Sequence, residues 1–376
     1  MKIAIIYGGK SGEHEISLIS AASVVRNIDS AEKIILIAVT KDGKWFLQSE
    51  EELKRVRAFP DSALEIKTEN AQEVFAVPGG GHEKTFVTES GFISVDVVFP
   101  VLHGTFGEDG TIQGLLELIN VPYVGAAVLA SAITMDKEKT KVVLAHAGIP
   151  IVPYLCMRRS DAESRTRYDE FLSDAQEKLG FPLFVKPCSA GSSDGASRAN
   201  DLRHLNGAIL EAFFWDDKIL IEKAIDAQEI ECSVTGNPIT DSGMNNFEKL
   251  NVFGPGEVSP KHEFYDYDAK YNDPEGADLL IPARIEESKR MQIRELAEKA
   301  YRVLDLNGLA RVDFFVDKRT EKIYLNEINT MPGFTKISMF PKLCEHDGLP
   351  FKQLTRLLIE EAFARFKDTR KLTTSR

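Results

Sequence analysis

Over the first ~125 residues, apolar runs of strand length alternate with amphipathic helical stretches, the pattern of a parallel sheet with helices packed on its faces. Lys2-Ile-Ala-Ile-Ile-Tyr7 and Val95-Asp-Val-Val-Phe99 are the clearest strands. Ile112, Leu115, Leu116 and Ile119 recur at helical spacing, so 111–120 reads as an amphipathic helix after a loop rich in glycine and acid. A second helix is expected over 131–146, stopped by Gly148 and Pro150. Strands at 183–185 and 219–221 follow, then a strand beginning at Ile230. A long helix over 287–304 carries the apolar stripe Ile293, Leu296, Ala297, Ala300 and Leu304. A short polar tail closes the chain after Phe366.

At 376 residues the chain is too long for one ordinary core and suits two or three packed domains, so a shared cleft is expected. With 43% hydrophobic and 28% charged residues it has the composition of a soluble protein, and no apolar run approaches a membrane span. The apolar start, ending in Gly8-Gly9 without a small-residue cleavage site, reads as a buried first strand and not a leader. Cys156, Cys188, Cys232 and Cys344 are scattered, which fits a reducing cytoplasm and neither a disulfide framework nor a zinc site. A net charge of -12 argues against a sequence-independent grip on nucleic acid. Any anionic ligand must therefore be held by locally placed lysines.

The most informative chemistry lies near the C-terminus. Residues 310–316 and 322–329 read as two strands of a hairpin joined by the polar run 317–321. With the turn centred near Thr320, Asp313 falls opposite Glu327 and Arg311 opposite Asn329, all on one face. One reading is a solvated face with cross-strand ion pairs. The other is a magnesium site, because two carboxylates and an amide oxygen completed by phosphate are how magnesium is held beside a nucleotide. Arg311 would then stabilise charge on the reacting group. Lys186 at a strand end, with the loop Gly191-Ser-Ser-Asp-Gly195 after it, is either a phosphate grip or an ordinary turn. Gly9-Lys10-Ser11 imitates a Walker loop but has Ala4 where the first glycine belongs, and no Gly-x-Gly-x-x-Gly follows any strand.

Seven pieces occur in order: Gly8-Gly-Lys-Ser-Gly-Glu-His-Glu15, His103-Gly-Thr-Phe-Gly-Glu-Asp-Gly110, Met135-Asp-Lys137, Lys186-Pro187 with Gly191-Ser-Ser193, Phe264-Tyr-Asp-Tyr-Asp-Ala-Lys-Tyr271, Arg311-x-Asp313 and Glu327-x-Asn-x-x-Pro-Gly333. Together they resemble the D-alanine-D-alanine ligase family of the ATP-grasp superfamily, with matching spacing across nearly the whole chain. The resemblance implies a mixed α/β and α+β fold of three domains. These are an open parallel α/β domain over 1–125, a central domain over 126–229 and a C-terminal domain over 230–376, with ATP clasped between the last two.

It also implies roles. Asp313, Glu327 and Asn329 would hold two magnesium ions, or manganese, on the phosphates of ATP. Lys137, Lys186, Lys270 and Ser193 would neutralise and enclose those phosphates. Glu222, Lys223, Ala224 and Glu229 would meet adenine and ribose. Arg311 and the Gly333 N–H would form the oxyanion site, Glu13 would hold the first substrate's ammonium, and Ser338 with the Met339 backbone would hold the second carboxylate. His103 and Glu108 would neighbour the substrate pocket or brace its loop. Tyr271 would close a lid through Ser192 and Glu13, and it favours a dipeptide product. In relatives that form a D-lactate ester, a histidine in this loop would repel an ammonium. Asp194 departs from the family pattern, in which an apolar residue follows the two serines. The family further implies a homodimer, peptidoglycan precursor synthesis in the cytoplasm, and no nucleic-acid or membrane partner. Two rival readings are an ATP-grasp ligase with D-serine or D-lactate as acceptor and a catalytically silent nucleotide-binding protein.

Overall fold

The computed structural model describes residues 1–192, 194–238, 250–260 and 276–372. Lys2–Gly8 lies inside a four-stranded sheet between Lys33–Val39 and Val97–Val101, both parallel to it, with Trp45–Leu47 antiparallel at one edge. Ile3, Ala4, Ile5, Ile6 and Tyr7 are all fully buried, as a parallel strand covered on both faces requires. The strand expected at 95–99 runs instead over Val97–Val101. The residues before it are held by backbone and side-chain bonds together: the Asp96 N–H donates to the Lys2 carbonyl at 2.9 Å, the Asp96 carboxylate accepts the Lys2 N–H at 2.7 Å, and the Lys2 ammonium donates to Ser94.

The helix expected over 131–146 is two helices, Val128–Met135 and Lys137–His146. Apolar periodicity runs through both, but Asp136 is extended and its carboxylate accepts the N–H groups of Glu138 and Lys139 at 3.1 Å each. An N-cap of this kind starts a helix anew. Lys137 therefore stands in a first turn, clear of the preceding helix.

The central sheet is antiparallel, in the order Ser197–Ala199, Leu183–Pro187, Lys218–Lys223, Tyr154–Arg158. Leu183, Val185, Ile219 and Ile221 pack with Leu205, Ile209, Ala212 and Phe213 of the helix Leu202–Trp215. Period-2 alternation sends Lys186, Leu220 and Glu222 to the opposite face.

The C-terminal sheet has five strands, in the order Ala277–Leu280, Asn251–Pro260, Ala227–Gly236, Gly308–Asp317, Ile323–Asn329. Helix Glu287–Val303 covers one face through Ile293, Ala297, Ala300 and Tyr301, with Leu304 just past its end, while Leu296 is only partly buried. The hairpin pairs Asp313 with Glu327 and Arg311 with Asn329 as expected, and a bulge beyond Asp313 leaves Asn326 as the extra residue. Ile230, Cys232, Val234, Ala310, Val312 and Phe314 face the helix, so Glu231, Arg311 and Asp313 look the other way.

The chain after the hairpin returns to the first sheet. Phe334 is fully buried among Phe99, Phe340 and Phe351, at ring separations of 6.0, 5.7 and 5.8 Å. One core thus joins the N-terminal sheet to the C-terminal segment. The last helix, Phe351–Thr369, continues through the point where the sequence suggested a polar tail. Among the described residues no helix is long and apolar enough to cross a membrane.

Candidate active site

Two walls face each other across the cleft. The C-terminal wall is the polar face of the hairpin. Arg311 donates to both oxygens of Asp313, at 2.8 and 2.6 Å, and its Nε lies 3.1 Å from Glu231. Asn329 Nδ2 donates to Asp313 at 3.0 Å. The carboxylate, guanidinium and carboxamide are therefore pre-positioned by one another, with most of their side-chain surface covered on Arg311 and Asp313.

The central wall supplies cations. Lys137 donates to the Ala190 carbonyl at 2.7 Å, and its Nζ stands 4.0 Å from Glu327 Oε2 on the facing hairpin. Lys186 donates to Asn326 Oδ1 at 3.2 Å, at the bulge, and pairs with Glu222 at 2.6 Å. Glu222 is buried and also meets the sealed Lys141 ammonium at 2.7 Å. Burial pushes the Glu222 carboxyl up, but the two lysines outweigh it and hold it below the ordinary carboxylate range. Its carboxylate thus faces lysines. Lys223 donates to the carbonyls of Gly180 and Phe181 at 2.8 and 3.0 Å, and the Ala224 N–H to Pro182 at 3.1 Å. Glu229 lies in the strand Ala227–Gly236, opposite Phe315 and Val258.

A third cluster comes from the N-terminal loops. Ser192 donates to Glu13 Oε1 at 2.5 Å, linking the phosphate-type loop to the start of helix His14–Asn27. The other Glu13 oxygen lies 2.7 Å from where a Cβ on Gly104 would sit and 2.5 Å from one on Gly191. A side chain at either position would displace this carboxylate, and Gly104 also has a φ of +67° that favours glycine. Asp194, the departure from the family pattern, has an oxygen 2.9 Å from the Cβ position of Gly12, so it packs on the N-terminal loop.

His103 is buried, with Nδ1 2.7 Å from the Met331 carbonyl and Nε2 3.1 Å from Ser20 Oγ. Burial depresses its imidazole pKa, against the opposing pull of Glu13. Glu108 accepts the N–H groups of Gly104 and Met331, at 3.0 and 2.8 Å, and the Thr330 hydroxyl at 3.3 Å. Burial and then the Glu13 charge push its carboxyl up to about 7 despite those donors. His103 and Glu108 thereby clasp the loop after Val97–Val101 to residues 330–331, beside the hairpin's end. Ser338 Oγ accepts the Thr335 N–H at 3.0 Å and would lie 2.6 Å from a Cβ on Gly333. Met339 is buried against Gly256.

Ser193, Lys270 and Tyr271 lie outside the described residues. Sequence reasoning passed over Glu231, Lys141 and Ser20. Glu231 carried a signal, standing on the polar side of the alternation Ile230, Cys232, Val234, and Lys141 stands four residues after Lys137 on one helix face. Ser20, which accepts the Phe334 N–H at 3.1 Å, had none.

The donor set suits magnesium. Asp313, Glu327 and Asn329 offer hard oxygen ligands and no nitrogen or sulfur side chain. Among the described residues no group of three or more His, Cys, Asp or Glu side chains is arranged to hold a metal ion. Beside a nucleotide, phosphate oxygens usually complete a magnesium shell.

The family described as D-ala D-ala ligase N-terminus matches residues 2–126, and D-ala D-ala ligase C-terminus matches residues 143–360. The chain is 52% identical to the D-alanine–D-alanine ligase of Treponema denticola over 100% of both chains. The solved D-alanine-D-alanine ligase from Coxiella burnetii superposes with a TM-score of 0.82 at 36% identity, covering 99% of this chain and 96% of that one. A D-Ala:D-Ser ligase from Enterococcus faecalis superposes with a TM-score of 0.78 at 34% identity, covering 96% and 99%. With both halves of the family matched in order along an ATP-grasp fold, the chain belongs to the D-alanine-D-alanine ligase family.

Proposed function

We propose that this chain uses ATP to join two D-alanine molecules into D-alanyl-D-alanine, releasing ADP and phosphate, for peptidoglycan precursor synthesis in the cytoplasm. The observation that carries the reading is the approach of Lys137 to Glu327 across the cleft at 4.0 Å, which sets cations of the central wall against the carboxylate face of the hairpin. Such an arrangement is what a phosphate chain with its metal demands.

In this reading one D-alanine carboxylate attacks the γ-phosphorus and ADP leaves, giving D-alanyl phosphate. The amine of the second D-alanine then adds to the acyl carbon, and the tetrahedral adduct expels inorganic phosphate. Lys137, Lys186 and Lys270 neutralise the transferring phosphoryl group, and the Ser193 hydroxyl donates to it. Asp313, Glu327 and Asn329 would hold magnesium, which would supply positive charge beside the phosphates. Arg311, its fork fixed by Asp313 and Glu231, and the Gly333 N–H stabilise the oxyanion. Glu13 takes the first ammonium, Ser338 and the Met339 backbone the second carboxylate, and Tyr271 closes over both. His103 and Glu108 brace the pocket. Glu222, Lys223, Ala224 and Glu229 border the adenosine end. We assign three domains, 1–125, 126–229 and 230–376, and a homodimer.

The test is phosphate release and product identity with D-alanine, ATP and magnesium, run beside D-serine and D-lactate as acceptors. D-alanyl-D-alanine as the dominant product is expected. Preferential use of another acceptor, or no phosphate release, would overturn the assignment.

A further inference from the structure

A third lysine stands behind the two that line the cleft. Lys141 lies one helical turn beyond Lys137, on the same face of Lys137–His146, with its side chain only 1% exposed. Its Nζ is 2.7 Å from one oxygen of Glu222, while Lys186 Nζ is 2.6 Å from the other. The ring of Tyr154 flanks it at 5.8 Å. One buried carboxylate is shared by two ammonium groups.

The charge balance of this trio has a direction. Lys186 and Glu222 alone would form a neutral pair, and a phosphate approaching Lys186 would compete with a carboxylate bound to nothing else. Burial lowers the pKa of Lys141 and the Glu222 charge opposes it; with that ammonium charged, the trio carries one net positive charge. Lys141 is sealed in the interior, whereas Lys186 reaches the hairpin bulge at Asn326, next to Glu327. The surplus charge therefore stands at the cleft.

We propose that Lys141 is a positioning residue for the nucleotide phosphates: by occupying one oxygen of Glu222 it leaves the charge of Lys186 available to the ligand. A lysine buried only to fill space would be a poor choice, because burying an ammonium is costly unless it is paired. The inference rests on the ligase reading above, and its test separates the two.

The full-length enzyme is assayed at saturating D-alanine and magnesium with varied ATP. Lys141→Met is expected to raise the ATP KM about tenfold or more, the loss of roughly one charge-assisted contact, with the D-alanine KM little changed. Lys141→Gln, which removes the charge but keeps a polar side chain, should do the same and guards against a variant that fails to fold. Lys141→Arg should restore most of the ATP affinity. The double variant Lys141→Met/Glu222→Gln should use ATP at a lower KM than Lys141→Met alone, because the competing carboxylate is gone. An ATP KM within twofold of the parent in both single neutral variants, or no recovery in the double variant, overturns the inference. A parent that neither binds nor turns over ATP overturns the ligase reading itself.

Discussion

At the scale of single residues, the site is a set of charges that hold one another in place. Asp313 is gripped by Arg311 and Asn329, and Glu327 faces Lys137, so each group's orientation is fixed before any ligand arrives. Glu327→Gln keeps the shape and removes one charge from the hairpin face. Turnover should fall about a hundredfold or more, the several kcal/mol that a bound divalent ion contributes to phosphoryl transfer, with the thermal midpoint near the parent's. Near-normal turnover at limiting magnesium would show that Glu327 is no ligand. The hairpin residues were legible in the sequence because register and alternation depend only on local spacing. Glu222 was not: its place between two lysines is set by the packing of helix Lys137–His146 against the central sheet, and no spacing along the chain encodes that contact.

At the scale of elements, periodicity announced the strands and helices but not where they break. The joint at Asp136 was hidden because the apolar residues keep their rhythm across it, while the cap that restarts the helix is a single side chain. The last helix shows the converse. Its final turns are polar in sequence, yet inside it Glu361 is fully buried and Arg365 nearly so. Arg365 donates to the carbonyls of Tyr123, at 2.8 Å, and of Gly125, and to Asn307, with its guanidinium 4.3 Å from the Tyr123 ring centre. Burial raises the Glu361 carboxyl to about 7, and the Arg365 charge and the Gly308 N–H only partly oppose it.

A carboxyl whose pKa is higher folded than unfolded contributes stability in full below its unfolded pKa of about 4.3, and loses it as pH rises through the folded value. Glu361 should therefore cost the protein about 3 kcal/mol between roughly pH 4.5 and 7.5. Glu108, with a folded value also about 7, acts in the same direction. Glu361→Gln stays neutral, so its urea-unfolding free energy should fall by about 2–3 kcal/mol less than the parent's between pH 5 and 8. An identical fall in both proteins would show that Glu361 ionises freely in the fold.

At the scale of the whole molecule, the first sheet and the last segments share one core. Phe334 packs on Phe99, and the Met331 carbonyl and N–H meet His103 and Glu108. The hairpin that carries Asp313 and Glu327 is thus tied at its end to the loops that carry Glu13 and His103. Composition and order of motifs in the sequence pointed to this family and fold, whereas the contacts that close the N-terminal loops onto residues 330–334 join positions more than two hundred apart and left no local trace. What the assembled cleft is built for is activation of a carboxylate by phosphoryl transfer, and that step leaves an isotopic record. With D-alanine labelled by 18O in its carboxylate, the acyl phosphate route transfers a substrate oxygen to the phosphate that is released. Mass spectrometry of that phosphate should show one 18O atom per molecule formed with D-alanyl-D-alanine; unlabelled phosphate would contradict the account.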